Sequence, residues 1–333
     1  MINMLYNKMF LPDAKESPAL IHNKRAKLNT GTNCNYKCSF CYYIDQLHLK
    51  KSFEDIKNDI DSIVLAGFTE IELSGGESSI HTNWFDILNY IPKHMKISTV
   101  TNGSMFSNEE FIIKSNFMGL TDILFSVHNL EDKHDEIVQS KNAFCKIKKA
   151  IKNAQQLQME VRINCTVNEL FLDDMINYSK FIIDTMPDQI NILPVNSWSD
   201  ANEHINYLET SIAIKSFIDI IKKYDIKINV RYIPLCFMRG YEQYCYGTYQ
   251  QIFDDSDWNI STFNGVPKSI PSKEELFDIA KNNRLVTYVK KAECFKCSDL
   301  YICDGVEFNN VDAVLVPKDD IKYKNVLHYK VNS

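Results

Sequence analysis

A chain of 333 residues, 45% hydrophobic and 24% charged, holds one large globular domain with an appendage, or two domains. Its formal net charge of −6, with no basic run interleaved with aromatics, disfavours nucleic acid as a partner. The N-terminus lacks the basic start and apolar stretch of a secretory signal, and no run approaches a membrane span, so the expected setting is the cytoplasm, with no membrane partner.

After an N-terminal extension over residues 1–25, "RAKLNTG" reads as the first strand and leads into a loop with three cysteines. A helix is expected over Ser52 to Ala66: Ser52 can cap it, Phe53, Ile56, Ile60, Ile63 and Val64 recur at helical spacing, and Gly67 stops it. "TEIELSGG" follows as strand two, "NWFDILNYI" as a helix, "KISTVTNG" as strand three, and a helix from Asn108 is opened by the capping-box pair Ser107 and Glu110. "TDILFSVH" gives strand four, "AFCKIKKAIKNAQQL" a helix, "EVRINCTV" strand five, "DDMINYSKFIIDTM" a helix and "DQINILPV" strand six. Cys145, on a helical face with Ala and Ile spacing, is expected in the core, where free cysteine behaves as a small hydrophobe. From about residue 200 the pattern loosens: "WSDANEH" reads as a linker, then come a helix around Ser211 to Tyr224, "KINVRYI" as a strand, and a cysteine-bearing region that metal ligation would order.

Strands alternating with helices in this way imply right-handed βαβ units, an α/β fold whose parallel sheet can curl into part of a barrel. Functional groups then belong at the carboxyl ends of the strands. Those ends carry the cysteine loop after strand one, Ser74-Gly75-Gly76-Glu77 after strand two, Asn102-Gly103 after strand three, and Ser126 to His128 after strand four.

In a reducing compartment ten cysteines point to metal rather than to disulfides. Cys34, Cys38 and Cys41 are one thiol short of a structural four-cysteine site; on a cubane iron–sulfur cluster they would leave one iron open to a non-protein ligand. A zinc site completed by a distant histidine is the alternative. "CNYKCSFC", followed in order by "SGGE", resembles the signature of the radical S-adenosylmethionine superfamily. The resemblance covers roughly residues 26 to 195 and implies a partial (β/α)6 TIM-like barrel over a core of residues 26–200. It also implies a [4Fe-4S] cluster on Cys34, Cys38 and Cys41, S-adenosylmethionine bound at the open iron, and reductive cleavage to a 5′-deoxyadenosyl radical, fed by an electron donor such as flavodoxin or ferredoxin. By the same resemblance Ser74, Gly75, Gly76 and Glu77 meet the methionine amino group. Asn102, Ser126 and Asn164 fall where ribose and carboxylate contacts lie, and Phe40 and Tyr42 flank the adenine. The glycine pair suits a ligand lying against the main chain, where no Cβ fits. Alone, that pair or Asn102-Gly103 is only a turn signal; the chain order of all the motifs carries the argument.

Cys236 and Cys245, then Cys294, Cys297 and Cys303, make a second set. A two-residue spacer lets Cys294 and Cys297 face one metal. The set resembles the auxiliary-cluster regions called SPASM or twitch, and makes residues 201–333 a linker helix with an auxiliary-cluster domain. The full SPASM pattern has seven cysteines and two clusters; five suffice for one second [4Fe-4S] cluster, so the shorter, twitch-like form fits better. Cys236, Cys294, Cys297 and Cys303 are the expected ligands, with Cys245 as a replacement or a free thiol. A zinc knot that closes the C-terminal region is the structural alternative.

The expected reaction is hydrogen-atom abstraction from a substrate carbon, followed by oxidation or epimerisation, of oxidoreductase or epimerase type. Cys165, at the end of strand five, is a candidate hydrogen donor to the product radical; its simpler reading is a buried strand residue. A superfamily does not fix a substrate. A small molecule such as a sugar, nucleotide sugar or aminocyclitol fits, and so does a peptide receiving a crosslink, thioether or inverted stereocentre. The stretch before strand one, about 25 residues, is too short for an independently folded leader-binding module, which favours the small molecule. An iron–sulfur scaffold or electron-transfer protein would need neither "SGGE" nor the barrel strands.

Overall fold

The computed structural model describes residues 24–41, 43–195, 206–245, 288–300, 303, 305–307 and 315. Seven strands, β1 (Arg25–Asn29), β2 (Glu70–Ser74), β3 (Lys96–Thr101), β4 (Leu120–Ser126), β5 (Glu160–Val167), β6 (Gln189–Pro194) and β7 (Lys227–Val230), form one sheet in chain order. Every pairing in it is parallel. Helices α1 (Phe53–Leu65), α2 (Trp84–Tyr90), α3 (Glu109–Phe117), α4 (Glu131–Val138), α5 (Ala143–Gln156), α6 (Glu169–Thr185) and α7 (Tyr207–Ile221) connect the strands, as parallel neighbours require. The result is a half-barrel. It is one strand wider than the expected six, because "KINV" pairs with β6, Asn229 opposite Asn191, instead of standing outside the sheet.

The strands alternate, and the alternation shapes the molecule. A parallel sheet covered by helices on both faces reads as continuous apolar runs. Here most strands place a polar residue at every second position, with Val100, Leu120, Leu124 and Leu193 as exceptions. Leu28, Ile71, Leu73, Ile123, Phe125, Ile163 and Ile192 face the helices and are at most 1% exposed. Each contributes about 1.5–3 kcal/mol by burial. The opposite face carries register-matched polar rows: Lys27, Glu72, Ser98 and Asp122 across β1 to β4, and Ser126, Asn164, Asn191 and Asn229 across β4 to β7. One face therefore makes the core, and the other lines a polar concavity.

The amino-terminal floor of that concavity is closed by ions. Arg162 donates to Asp122 Oδ1 and to Glu72 Oε2, both at 2.7 Å, and Arg25 reaches Glu70, Glu72 and Asp122 at 3.1, 3.6 and 3.2 Å. Burial pushes the Glu72 carboxyl up, but Arg162, Lys27 and Arg25 outweigh it and hold it at about 2.

The helices follow their local signals, with instructive differences. Ser52 caps α1, accepting the Asp55 N–H, and Ile56, Ile60 and Ile63 are buried as their spacing requires. The expected capping box at Ser107 is not formed: Asn108 is the cap, accepting the Phe111 N–H at 3.1 Å, while the Ser107 hydroxyl donates to the Ser104 carbonyl. Helix α4, "EDKHDEIV", buries only His134, Ile137 and Val138, too short an apolar pattern to predict a helix from the sequence. Helix α7 starts at Tyr207, capped by Asn206, earlier than the expected Ser211. Cys145 is exposed, one position away from the buried face of α5 that Phe144, Ile147 and Ile151 form, which corrects its assignment to the core. The expected linker "WSDANEH" lies at residues outside those described. Among the described residues no helix is long and apolar enough to cross a membrane.

Candidate functional site

The cysteine loop leaves β1 at the carboxyl end of the sheet and is clamped from two sides. On one side the "SGGE" turn donates into it: Gly76 N–H to Gly31 O at 2.9 Å and Glu77 N–H to Asn33 O at 2.8 Å. On the other, Lys37 and Ser39 donate their N–H groups to the Val138 and Ile137 carbonyls, which the end of α4 leaves without helical partners. A Cβ on Gly75 would stand 2.1 Å from Gly31 O, and one on Gly76 would stand 2.3 Å from both Thr32 O and Asn33 O. The reason for the glycine pair is thus different from the expected one. The loop's own backbone, rather than a ligand, occupies the space a side chain would need.

Cys34, Cys38 and Cys41 lie within electrostatic reach of one another, and Glu77 acts on both Cys34 and Cys38. Burial pushes all three thiols up, Cys34 to about 11, so a cation must displace their protons before they can serve as thiolates. Among the described residues no three His, Cys, Asp or Glu side chains converge on a single-ion site. Three sulfurs spread over one loop suit a cluster, in which each binds a different iron, better than a mononuclear cage.

Glu77 is the centre of the polar part of the site. It is 2% exposed. Its Oε1 accepts from Thr101 Oγ1 at 2.8 Å, from the Ser79 N–H at 3.3 Å and from the Ser79 hydroxyl, and its Oε2 accepts from the Asn102 N–H at 2.6 Å. Burial nevertheless pushes its carboxyl up, against the pull of those donors. No cationic side chain among the described residues pairs with it. A carboxylate oxygen has about two acceptor positions, so Oε2 keeps one open. An ammonium group at that position would supply the charge that this buried anion lacks.

Asn102 ties this carboxylate to the loop. Its side-chain amide donates to Asn35 Oδ1 at 2.8 Å and lies 3.9 Å from Cys34 Sγ, and Asn35 in turn donates to Ser104 Oγ at 2.9 Å. Ser79, Thr101, Ser104 and Asn35 join this group without being marked by any of the sequence motifs. Their signal was present: small polar residues crowd the ends of β2 and β3, where a purely structural turn would not need them.

The remaining expected residues distribute unevenly. Ser74 ends β2, with its carbonyl accepting from Thr30, so Ser74, Gly75, Gly76, Glu77 and Asn102 form one group with the cysteine loop. Ser126 and Asn164 pair in register across β4 and β5 on the concave face. The half-buried Phe40 sets its ring edge-on to His128, with centroids 4.7 Å apart. Tyr42 lies outside the described residues. Cys165 is not brought to the group: it is fully buried on the helix side of β5, beside Tyr178 of α6, and its Sγ donates to the His128 carbonyl at 3.9 Å. His128 and His134 are buried and neutral. Their Nδ1 atoms accept the N–H groups of Thr166 and His128, and burial lowers His128 far and His134 to about 4.

In the second set Cys236, on a short turn after β7, and Cys294 act on Cys303, and Cys297 acts on Cys294, so these four thiols are neighbours. Cys303 also acts on Cys245, so this fifth thiol lies at the edge of the same group, and burial pushes it up. Its Sγ donates to the Tyr241 carbonyl at 3.5 Å, and the residue is 3% exposed within the main core. Both donor sets, thiols held near one another and a buried carboxylate with an open acceptor position, fit iron–sulfur clusters and an ammonium-bearing ligand.

Comparison with known proteins agrees with this donor chemistry. Residues 28–181 match the Radical SAM superfamily. The chain is 26% identical over 186 residues to the antilisterial bacteriocin subtilosin biosynthesis protein AlbA of Bacillus subtilis (strain 168), covering 51% of this chain and 41% of that protein. It is also 26% identical over 186 residues to the GTP 3′,8-cyclase of Psychromonas ingrahamii, covering 52% of this chain and 53% of that one. The chain thus spans about half the length of the curated relatives it matches. In fold it is similar to Streptococcus suis SuiB bound to precursor peptide SuiA, with a TM-score of 0.59 at 14% identity over 90% of this chain and 75% of that one.

Proposed function

We propose, for a chain whose residues 28–181 match the Radical SAM superfamily, that it cleaves S-adenosylmethionine reductively and abstracts a hydrogen atom from a polar substrate held in the concave face of the half-barrel. The observation that carries this reading is Glu77: a buried carboxylate, unpaired by any described cation, linked through Asn102 and Asn35 to the cysteine loop. Cys34, Cys38 and Cys41 would hold a [4Fe-4S] cluster, and Cys236, Cys294, Cys297 and Cys303 a second one. When bound, the first cluster and the nucleotide supply a 5′-deoxyadenosyl radical, chemistry that side chains cannot generate.

The chain's own residues bind and orient. Glu77 Oε2 takes the amino group of the nucleotide, and Asn102 keeps that carboxylate and the loop at fixed separation. The walls of β4 to β7 present Ser126, Asn164, Asn191 and Asn229 to the substrate side, a row of hydroxyl and amide groups suited to a ligand rich in hydroxyls or ring nitrogens. That row supports a small molecule of the sugar or nucleotide class, and the relationship to a GTP 3′,8-cyclase supports it further. A second reading, a peptide, is favoured by AlbA, a bacteriocin biosynthesis protein, and by SuiB, whose structure holds a precursor peptide.

The test is deoxyadenosine release by the reduced, reconstituted protein on addition of extract from its source cells, one half of which has been digested with protease. Stimulation that survives digestion supports the small molecule, and stimulation lost with digestion moves the assignment to a peptide. No release under either condition, with S-adenosylmethionine present, refutes the reading.

A further inference from the structure

The side chain of Asn102 is turned toward a sulfur. Its Oδ1 accepts the Ser104 N–H at 3.0 Å, and because a backbone N–H only donates, this contact fixes which end of the amide is which. The Nδ2 end then faces Asn35 Oδ1 at 2.8 Å and Cys34 Sγ at 3.9 Å, one acceptor for each of its two hydrogens. Both donors of the amide are thereby committed to the cysteine loop.

The turn that carries this amide is held from behind. Gly103 has φ +77° and donates its N–H to Thr101 Oγ1 at 3.0 Å, and a Cβ on it would stand 2.7 Å from the Ile147 side chain and 3.0 Å from Ile147 Cα on α5. The turn therefore lies directly on a core helix. On the loop side, Cys34 gives its own N–H to the Leu47 carbonyl at 3.1 Å, and its Sγ accepts the Tyr36 N–H at 3.4 Å. The longer Asn102 contact brings a second donor to the same sulfur, from a separate element of the fold. Burial pushes the Cys34 thiol up, the Tyr36 N–H pulls it down, and the anionic Glu77 pushes it further up. Added negative charge at this sulfur is costly, and each donor to it counts.

We propose that Asn102 is a positioning residue for the loop cluster, whose side-chain amide raises the cluster's reduction potential by donating to Cys34 Sγ. The inference rests on the reading that Cys34, Cys38 and Cys41 hold a [4Fe-4S] cluster. Reduction places one electron, from a donor of the ferredoxin or flavodoxin type, on a group that three thiolates have made more negative. Hydrogen bonds to the sulfurs help to set such potentials. This role differs from a contact with the nucleotide's ribose or carboxylate, because it operates before the nucleotide binds.

The test is therefore made without nucleotide. The full chain carrying C294A, C297A and C303A, in which only the loop cluster gives a signal, is reconstituted anaerobically. Iron is counted, and the midpoint potential is read by EPR-monitored titration for this background and with N102A, N102D or N35A added. The expected result is about four irons throughout. The midpoint falls in N102A by roughly threefold in the one-electron equilibrium, about 30 mV, and falls further in N102D, which sets a carboxylate oxygen against the sulfur. N35A takes the other acceptor from the amide but leaves the sulfur contact, so its midpoint stays with the background. Where the background does not assemble, the unsubstituted chain is titrated and the signal missing from C34A is followed. About four irons with an unmoved midpoint in N102A and N102D overturns the proposal and returns the side chain to the nucleotide. A fall in N35A equal to that in N102A overturns it too, by assigning the effect to loop packing. A full chain that takes up no iron refutes the cluster reading itself.

Discussion

Asn102 donates its backbone N–H to Glu77 Oε2 at 2.6 Å. Its side-chain amide, reaching Asn35 Oδ1 at 2.8 Å, extends that contact to the cysteine loop. The substitution E77Q keeps size and most of the hydrogen bonding but removes the charge. It is expected to weaken S-adenosylmethionine binding by roughly tenfold to a hundredfold, the worth of a charge-assisted hydrogen bond, with iron content unchanged. Equilibrium binding of the nucleotide to reconstituted protein checks this, and equal affinity would remove Glu77 from the site.

The G76A variant isolates the clamp from the chemistry. Its methyl group would meet Thr32 O and Asn33 O at 2.3 Å, both on the backbone of the cysteine loop. Overpacking of this kind costs about 1–3 kcal/mol, and the loop must move to relieve it. Lower urea stability together with reduced iron loading is the expected outcome; full iron loading at unchanged stability would show that the turn and the loop are not rigidly joined.

At the floor of the half-barrel, R162M would leave Glu72 and Asp122 buried without their closest cation. Breaking a buried pair from one side costs about 3–5 kcal/mol, which urea unfolding at neutral pH can measure. The pH dependence has a definite sign. Glu72 is held at about 2 in the folded protein, below an unfolded carboxylate near about 4.3. Its contribution is therefore complete above the unfolded value and is lost as pH falls toward about 2. Between those limits the wild-type melting temperature should fall more steeply than that of R162M.

Cys165 faces Tyr178 and the helix layer, so it has no path to a radical in the concave face. In C165A the rate of deoxyadenosine formation and of substrate turnover should stay within about twofold of wild type, while the lost packing costs about 1 kcal/mol of stability. A selective loss of product, with deoxyadenosine release intact, would restore this thiol as a hydrogen donor.

Much of the architecture was readable because the sheet obeys local rules. Six of the seven strands and the order of the motifs at their carboxyl ends follow from "IELSGG", "VTNG" and their neighbours. The seventh strand, "KINV", shows the same alternation as "QINI" in β6, yet its place is fixed by Asn191 pairing with Asn229, a contact between residues far apart in sequence. The site divides in the same way. Cysteine spacing marks the ligand loop, but Asn35, Thr101 and Ser79 acquire meaning only when folding gathers them around Glu77. Cys165 and Cys145 show the limit from the other side. Asn164 and Cys165 are adjacent in one strand but face opposite sides of the sheet, and Cys145 sits one step beyond a buried helical stripe.

The polar rows facing the concavity and the apolar rows facing the helices occupy alternate letters of the same short segments. Selection for foldability and selection for chemistry are therefore interleaved along each strand, rather than confined to separate stretches. A lineage can rewrite Ser126, Asn164, Asn191 and Asn229 toward a new substrate while Phe125, Ile163, Ile190 and Ile192 stay fixed. In a saturation-mutagenesis survey the strands would show a two-residue beat, stability responding at one position and substrate choice at the next.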